Sequence, residues 1–199
     1  MLPEPLLVVR KLASVFDVLQ VDYLVGGSIA SSLHGSYRST QDVDFVADIS
    51  MGKIGAFVAA LQEEFYVDAE MIEEAIRTNS SFSVIHLPTM VKADVFLKKP
   101  TVWADWEWQR RTIERIGSDD SAFAIYVASP EDMVLQKLYW FQLGGRVSER
   151  QWNDVQGILK VQSATLDLSY LIRGASELNL MTLLTEALKE ADIPMRDAE

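Results

Sequence analysis

Two carboxylates stand two residues apart in Asp42-Val43-Asp44-Phe45, with thirteen residues between them and the triplet Gly26-Gly27-Ser28 that closes an apolar stretch. Residues two apart on a strand share a face, so Asp42 and Asp44 point one way while Val43 and Phe45 point to the core. Two like charges within about 7 Å of one another need a cation or a proton to coexist. A hard divalent cation such as Mg²⁺ meets that need, binding through one or two carboxylates together with substrate phosphates. The bland alternative is a strand end with two surface acids.

A third acid follows. In Val91-Lys92-Ala93-Asp94-Val95-Phe96-Leu97 the odd positions are apolar and form a buried face, leaving Asp94 on the other side between Lys92 and Phe96. A carboxylate there, on a neighbouring strand, completes a site for two metal ions that hold the attacking and leaving oxygens of an in-line displacement. Its alternative is a strand acid paired with Lys92. Glycines between a strand and a helix let backbone approach a phosphate, and the helix start offers free N–H groups. The pattern G-x-x-x-x-G-K-[ST] is absent, and a lone Gly-Gly-Ser also suits a tight turn.

Other candidates are more ambiguous. Lys137 has Met133, Val134, Trp140 and Phe141 at helical spacing, and a cation in an apolar stripe needs an anionic partner or a route to water. His34 and His86 are the only histidines and lack metal-ligand spacing; His34 either lines the pocket or is structural. Trp103, Trp106 and Trp108 read as core or interface rather than as a base-stacking platform.

The elements that must position these groups follow from periodicity. Residues 5–20 form an amphipathic helix, and Asp22–Val25 a strand running into the glycines. Ser28 caps a short helix to Leu33, Val43–Ala47 is a strand, and Ser50 caps a helix to about Glu64. A helix over Ala69–Thr78 precedes an antiparallel hairpin of Phe82–Leu87 and Val91–Leu97, turning at Pro88-Thr89. The segment 101–116 is expected to be helical, and Ala124–Ala128 to be the last strand. Helices follow at Pro130–Leu143, Glu149–Val161, Leu168–Leu178 and Met181–Ala191. This order predicts an α+β fold with a core over 1–128 and a helical region over 129–199 packed on it.

Composition bounds the partners. The chain has 199 residues, 29 acidic against 18 basic, and a formal charge of −11. Such a charge repels polyanions at long range, which opposes broad non-specific nucleic-acid binding but leaves tRNA and small phosphorylated substrates open. The clusters Lys98-Lys99 and Arg110-Arg111 with Arg115 are read as solvated faces or local polyanion contacts. There is no cysteine, no membrane-length apolar run and no signal-peptide pattern at the N-terminus, so a cytoplasmic location is expected.

Taken in order, the apolar strand, Gly26-Gly27-Ser28, the spacer, Asp42-Val43-Asp44 and Asp94 resemble the nucleotidyltransferase signature of the DNA polymerase β superfamily. The finer pattern, Gly-Gly-Ser-x-Ala … His34-Gly35-x-x-Arg38-x-Thr40-x-Asp42-x-Asp44-Phe45, is most similar to minimal bacterial nucleotidyltransferases related to the AbiEii abortive-infection toxins. Pro130-Glu131-Asp132, Lys137, Arg150 and Asp154 continue that likeness, which spans about residues 20–160. The resemblance implies a nucleotidyltransferase fold, a short mixed sheet flanked by helices. It implies transfer of a nucleoside monophosphate from an NTP such as ATP to an acceptor hydroxyl on a small molecule, protein or RNA end, with release of pyrophosphate.

The roles it implies are specific. Asp42, Asp44 and Asp94 would hold two Mg²⁺ or Mn²⁺ ions, with Asp94 also helping to activate the acceptor. Gly26, Gly27 and Ser28 would hold the triphosphate, Arg38 and Lys137 would neutralise it, and Asp154 would orient Lys137 or touch substrate. It further implies an antitoxin as protein partner and a toxin-like role. Two other classes fit the same residues: a non-catalytic nucleotide-binding or toxin–antitoxin interaction module, and a metal-dependent phosphoester hydrolase. Three intact acids oppose the first, and the absence of a clustered His/Asp set opposes the second.

Overall fold

The computed structural model describes residues 2–35, 39–117 and 122–194. The first half alternates helix and strand: α1 (Glu4–Leu19), β1 (Tyr23–Val25), α2 (Gly27–His34), β2 (Asp42–Ala47), α3 (Ile54–Leu61), β3 (Phe65–Tyr66), α4 (Ala69–Thr78), β4 (Ser81–His86) and β5 (Lys92–Leu97). Then come α5 (Val102–Arg110), β6 (Thr112–Ile116), β7 (Phe123–Val127), α6 (Pro130–Leu143), α7 (Glu149–Gln162), α8 (Leu168–Glu177) and α9 (Met181–Glu190). The strands form one mixed sheet in the order β3-β4-β5-β2-β1-β7-β6. The pairs β2–β5 and β1–β7 are parallel and the others antiparallel. The chain is therefore α+β, as its pattern predicts.

Burial explains the strands. In β2 and β5 alternate residues are buried: Val43, Phe45 and Ala47 on one, Ala93, Val95 and Leu97 on the other. β1 is buried at all three positions because it runs through the middle of the sheet, between β2 and β7. α1 lays Val8, Val9, Leu12, Ala13 and Phe16 against this core at helical spacing. Phe16 there packs on Tyr23, Phe45 and Phe57, with ring centroids 5.4 Å away in each case. The core continues without interruption into Leu135, Ile158, Leu171 and Leu184 of α6 to α9. No helix among the described residues is long and apolar enough to cross a membrane.

Four expectations need correction. The segment 101–116 is not one helix: α5 stops at Arg110, Arg111 is extended (φ −54°, ψ 137°), and Thr112–Ile116 pairs with β7. Thr101 caps α5 through Ala104 N–H, but the strand after it is an edge strand with little burial to betray it. The helix expected to reach Glu64 stops at Leu61, and β3 (Phe65–Tyr66), the opposite edge strand, follows it unexpected for the same reason. Finally, Ser28 does not cap α2; Gly26 holds the cap position without a side-chain bond, and Ser28 is the second residue of the helix. Ser50 likewise makes no side-chain cap, and a 3-10 turn over Met51–Lys53 precedes α3.

Candidate active site

Register builds the site. Antiparallel pairing sets Val25 of β1 against Phe45 of β2, so the next residue, Gly26, falls beside Asp44 and donates its N–H to the Asp44 carbonyl at 3.0 Å. Parallel pairing of β2 with β5 sets Asp44 directly opposite Asp94 and Asp42 opposite Lys92. The acids thus share one sheet face, above the point where β1 delivers the chain into α2.

Gly27 is shaped by Asp44. Its φ is +58°, and a Cβ there would overlap Asp44 Oδ2 and lie 2.6 Å from Asp44 Cγ. The Ser28 N–H then donates to the Asp44 carboxylate. One carboxylate is held by the first turn of a helix, and only a side chain of hydrogen lets that turn come so close. Gly26 is less constrained: a Cβ there would meet Gln136 Oε1 at 3.6 Å, an ordinary contact.

The charges are uneven. Burial pushes the Asp44 carboxyl above the usual range, Asp94 opposite it pushes the same way, and Lys137 opposes them. The Asp94 carboxylate is itself engaged: Lys92 Nζ lies 2.7 Å from Oδ2, and Ser83 Oγ donates to Oδ1 at 2.5 Å. The pairing with Lys92 raises that lysine's pKa. Asp42 is exposed at the start of β2.

A divalent cation can be weighed against this donor set. Among the described residues, no three Asp, Glu or His side chains converge closely enough to hold a metal by themselves. What stands there is an all-oxygen pair, Asp42 and Asp44, with a third carboxylate paired to a half-exposed lysine. That set suits Mg²⁺, which prefers one or two carboxylates plus substrate phosphate oxygens to a closed protein cage. Desolvated carboxylates that repel each other are also stabilised by any cation placed between them.

The opposite wall comes from α6 and α7. Lys137 is buried and pairs with Asp154 at 2.9 Å, their side chains 6% and 9% exposed, so the lysine in its apolar stripe does have an anionic partner. One turn before Asp154 on α7, Arg150 Nη2 donates to Ser28 Oγ at 2.9 Å. Arg150 entered the sequence pattern without a role; its spacing four residues before Asp154 puts both on one helical face. Gln136, also missed, lies against Gly26 and donates through Nε2 to Glu107 Oε1 of α5. Arg38 lies outside the described residues.

Several candidates prove structural. His34 is buried and donates from Nε2 to the Ala128 carbonyl at 2.7 Å, tying α2 to the start of α6. His86 bonds Thr89 Oγ1 through Nδ1 at 2.8 Å and packs on Phe65. Trp103, Trp106 and Trp108 pack against the core, with Arg173 over Trp106 and Arg111 over Trp108. Members of the basic clusters are paired: Lys98 with Asp105 at 2.6 Å, Arg110 with Glu131 at 3.2 Å, Arg111 with Asp22 at 3.0 Å.

No protein-family model matches the chain, and no curated protein matches it in sequence. Solved structures do match. The chain is similar to an antigenic nucleotidyltransferase-like protein from Paracoccidioides brasiliensis, at 18% identity and a TM-score of 0.53 over 94% of this chain and 92% of that one. It is also similar to the antibiotic-resistance factor ANT(2'')-Ia, at 9% identity and a TM-score of 0.53 over 92% of this chain and 96% of that one. At such identities the likeness is one of fold, and the fold is that of the nucleotidyltransferases.

Proposed function

We propose that this protein is a metal-dependent nucleotidyltransferase that moves a nucleoside monophosphate from an NTP to an acceptor hydroxyl. The observation that carries the reading is the meeting of Asp44 with Gly27 and Ser28 on one side and with Asp94 on the other. A carboxylate lodged between a helix start and a second carboxylate has a use when phosphate and a cation share the site. Mg²⁺ held by Asp42 and Asp44 would supply charge neutralisation at the phosphates.

The protein's own groups do the rest. Gly26, Gly27 and Ser28 present backbone to the triphosphate, while Lys137, Arg150 and Arg38 balance its charge. Asp154 fixes the Lys137 ammonium. The acceptor oxygen attacks the α-phosphorus, the bond to the β-phosphate breaks, and pyrophosphate leaves with the electron pair. The acceptor proton passes to the Asp94 carboxylate, which Lys92 must first release. The finer resemblance supports an AbiEii-like, toxin-type enzyme with an antitoxin partner, working in the cytoplasm.

A second reading has one observation in its favour. Lys92 and Ser83 already satisfy Asp94, as they would in a non-catalytic nucleotide-binding module. One experiment separates the two. Wild type and Asp42→Ala/Asp44→Ala are incubated with each α-labelled NTP, Mg²⁺ or Mn²⁺, and acceptors that include the protein itself and total tRNA. Label transferred by wild type alone supports the enzyme. Nucleotide binding without transfer supports the module, and release of free phosphate supports hydrolysis.

A further inference from the structure

We propose that Trp140 is the nucleobase platform of this cleft, an inference that rests on the nucleotidyltransferase reading and assigns the subsite it leaves open. All five tryptophans are described, and Trp140 alone among them is exposed, at 52% of its surface. It stands on α6, where Met133, Val134, Leu135 and Leu138 are wholly buried, Tyr139 and Phe141 are partly buried, and Leu143 at the helix end is exposed like Trp140. An indole half in water on such a helix needs a reason, because burying it would contribute more than almost any other side chain.

Its position supplies the reason. Gln136 is four residues before it and lies against Gly26. Lys137 is three residues before it, pairs with Asp154 and lowers the Asp44 carboxyl pKa. Residues three and four apart on a helix are surface neighbours, so Trp140 occupies the next turn of the stripe formed by two cleft-facing side chains. The rise per residue puts it roughly 4.5 to 6 Å further along α6 than they are. Exposure grows along that stripe, from Lys137 at 5% to Trp140 at 52%, so the turn marks the lip of the cleft.

A triphosphate seated on Gly26–Ser28 and Lys137 therefore leaves its nucleoside directed towards this lip. Tyr139 braces the indole edge-on, 6.1 Å between centroids at 71°, which restrains the ring while much of it stays in solvent. An exposed, restrained indole stacks on any base, and best on the larger π-face of a purine. Base choice at this site is thus expected to be a graded purine preference rather than a hydrogen-bonded code.

The test compares wild type, Trp140→Ala and Trp140→Phe by calorimetry with Mg²⁺, titrating ATP and, separately, inorganic tripolyphosphate. Trp140→Ala should weaken ATP binding roughly ten-fold or more while leaving tripolyphosphate binding unchanged, and Trp140→Phe should recover most of the loss. Equal melting temperatures would exclude a folding defect as the cause. Wild-type affinity for ATP in Trp140→Ala overturns the platform, as does an equal loss for tripolyphosphate; both leave the nucleotidyltransferase reading standing. A wild type that binds neither ligand removes the reading and the platform together.

Discussion

Gly27 and Asp44 are built against each other: a Cβ on Gly27, whose φ is +58°, would overlap the Asp44 carboxylate. Gly27→Ala should therefore cost stability through left-handed strain of about 1–3 kcal/mol, and more if the carboxylate cannot move. Transfer activity should vanish with the displaced acid. Gly26→Ala has φ −120° and an ordinary contact, so its stability should change by about 1 kcal/mol or less. Denaturant unfolding of the two variants checks the contrast; equal losses would show that the overlap is not what limits Gly27.

Asp44→Asn should raise the stability of the metal-free protein while abolishing transfer. Burial and Asp94 hold the Asp44 carboxyl pKa above its ordinary value of 3.8. Ionised in the unfolded chain but resisted in the folded one, it takes away stability as pH rises from 3.8 through its folded value. The amide removes that loss and still accepts from the Ser28 N–H. Thermal melts at neutral pH should place the variant above wild type, and adding Mg²⁺ should raise wild type only.

Lys137 and Asp154 form a buried pair, so removing one partner strands the other. Lys137→Met should cost about 3–5 kcal/mol, and Lys137→Met/Asp154→Leu should regain much of it. Neither should recover activity, because the double variant restores packing and not the charge that faces Asp44. Parallel denaturant titrations and transfer assays separate the two effects. A double variant as unstable as the single one would count against a charge origin.

Arg150 is exposed, so Arg150→Ala should change stability by less than about 1 kcal/mol. Its bond to Ser28 places it at the phosphate-binding turn. Loss should appear as a KM for NTP raised roughly ten-fold or more, with Lys a poor replacement for the forked guanidinium. Steady-state kinetics with varied NTP decide this.

Glu107 gives the protein a stability profile that can be read against pH. Burial, and then the Asp132 charge, push its carboxyl up to about 8 from an ordinary 4.5. Between those values the unfolded chain has released the proton and the folded chain has kept it, so stability falls as pH rises and levels off above about 8. Glu107→Gln should flatten that slope, with a gain on the order of a few kcal/mol by pH 8. Urea titrations at pH 5, 6.5 and 8 measure it; parallel slopes in both proteins would remove Glu107 from the account.

How much of this was legible depended on burial. β2, β4 and β5 were readable because one face of each is dry, and alternation in the residues records it. α4 and α6 were readable over Ala69–Thr78 and Pro130–Leu143, and the structure shows them capped by Asp68 and Ser129. β3 and β6 were not, since edge strands face water and obey no strict pattern. Histidine roles were equally open, because only the fold reveals that His34 reaches the Ala128 carbonyl across 94 residues.

The sequence by itself determined which groups exist and which faces they take: paired acids on one side of a strand, Asp94 on the same side of another, glycines at a strand end, a lysine in an apolar stripe. Strand periodicity and helical spacing are local, and they need no partner to be read. Register is not local. That Asp44 opposes Asp94, that Gly27 is pressed against Asp44, that Lys92 holds Asp94, and that Arg150 meets Ser28 across 122 residues were decided only when the sheet paired and α7 closed over α2.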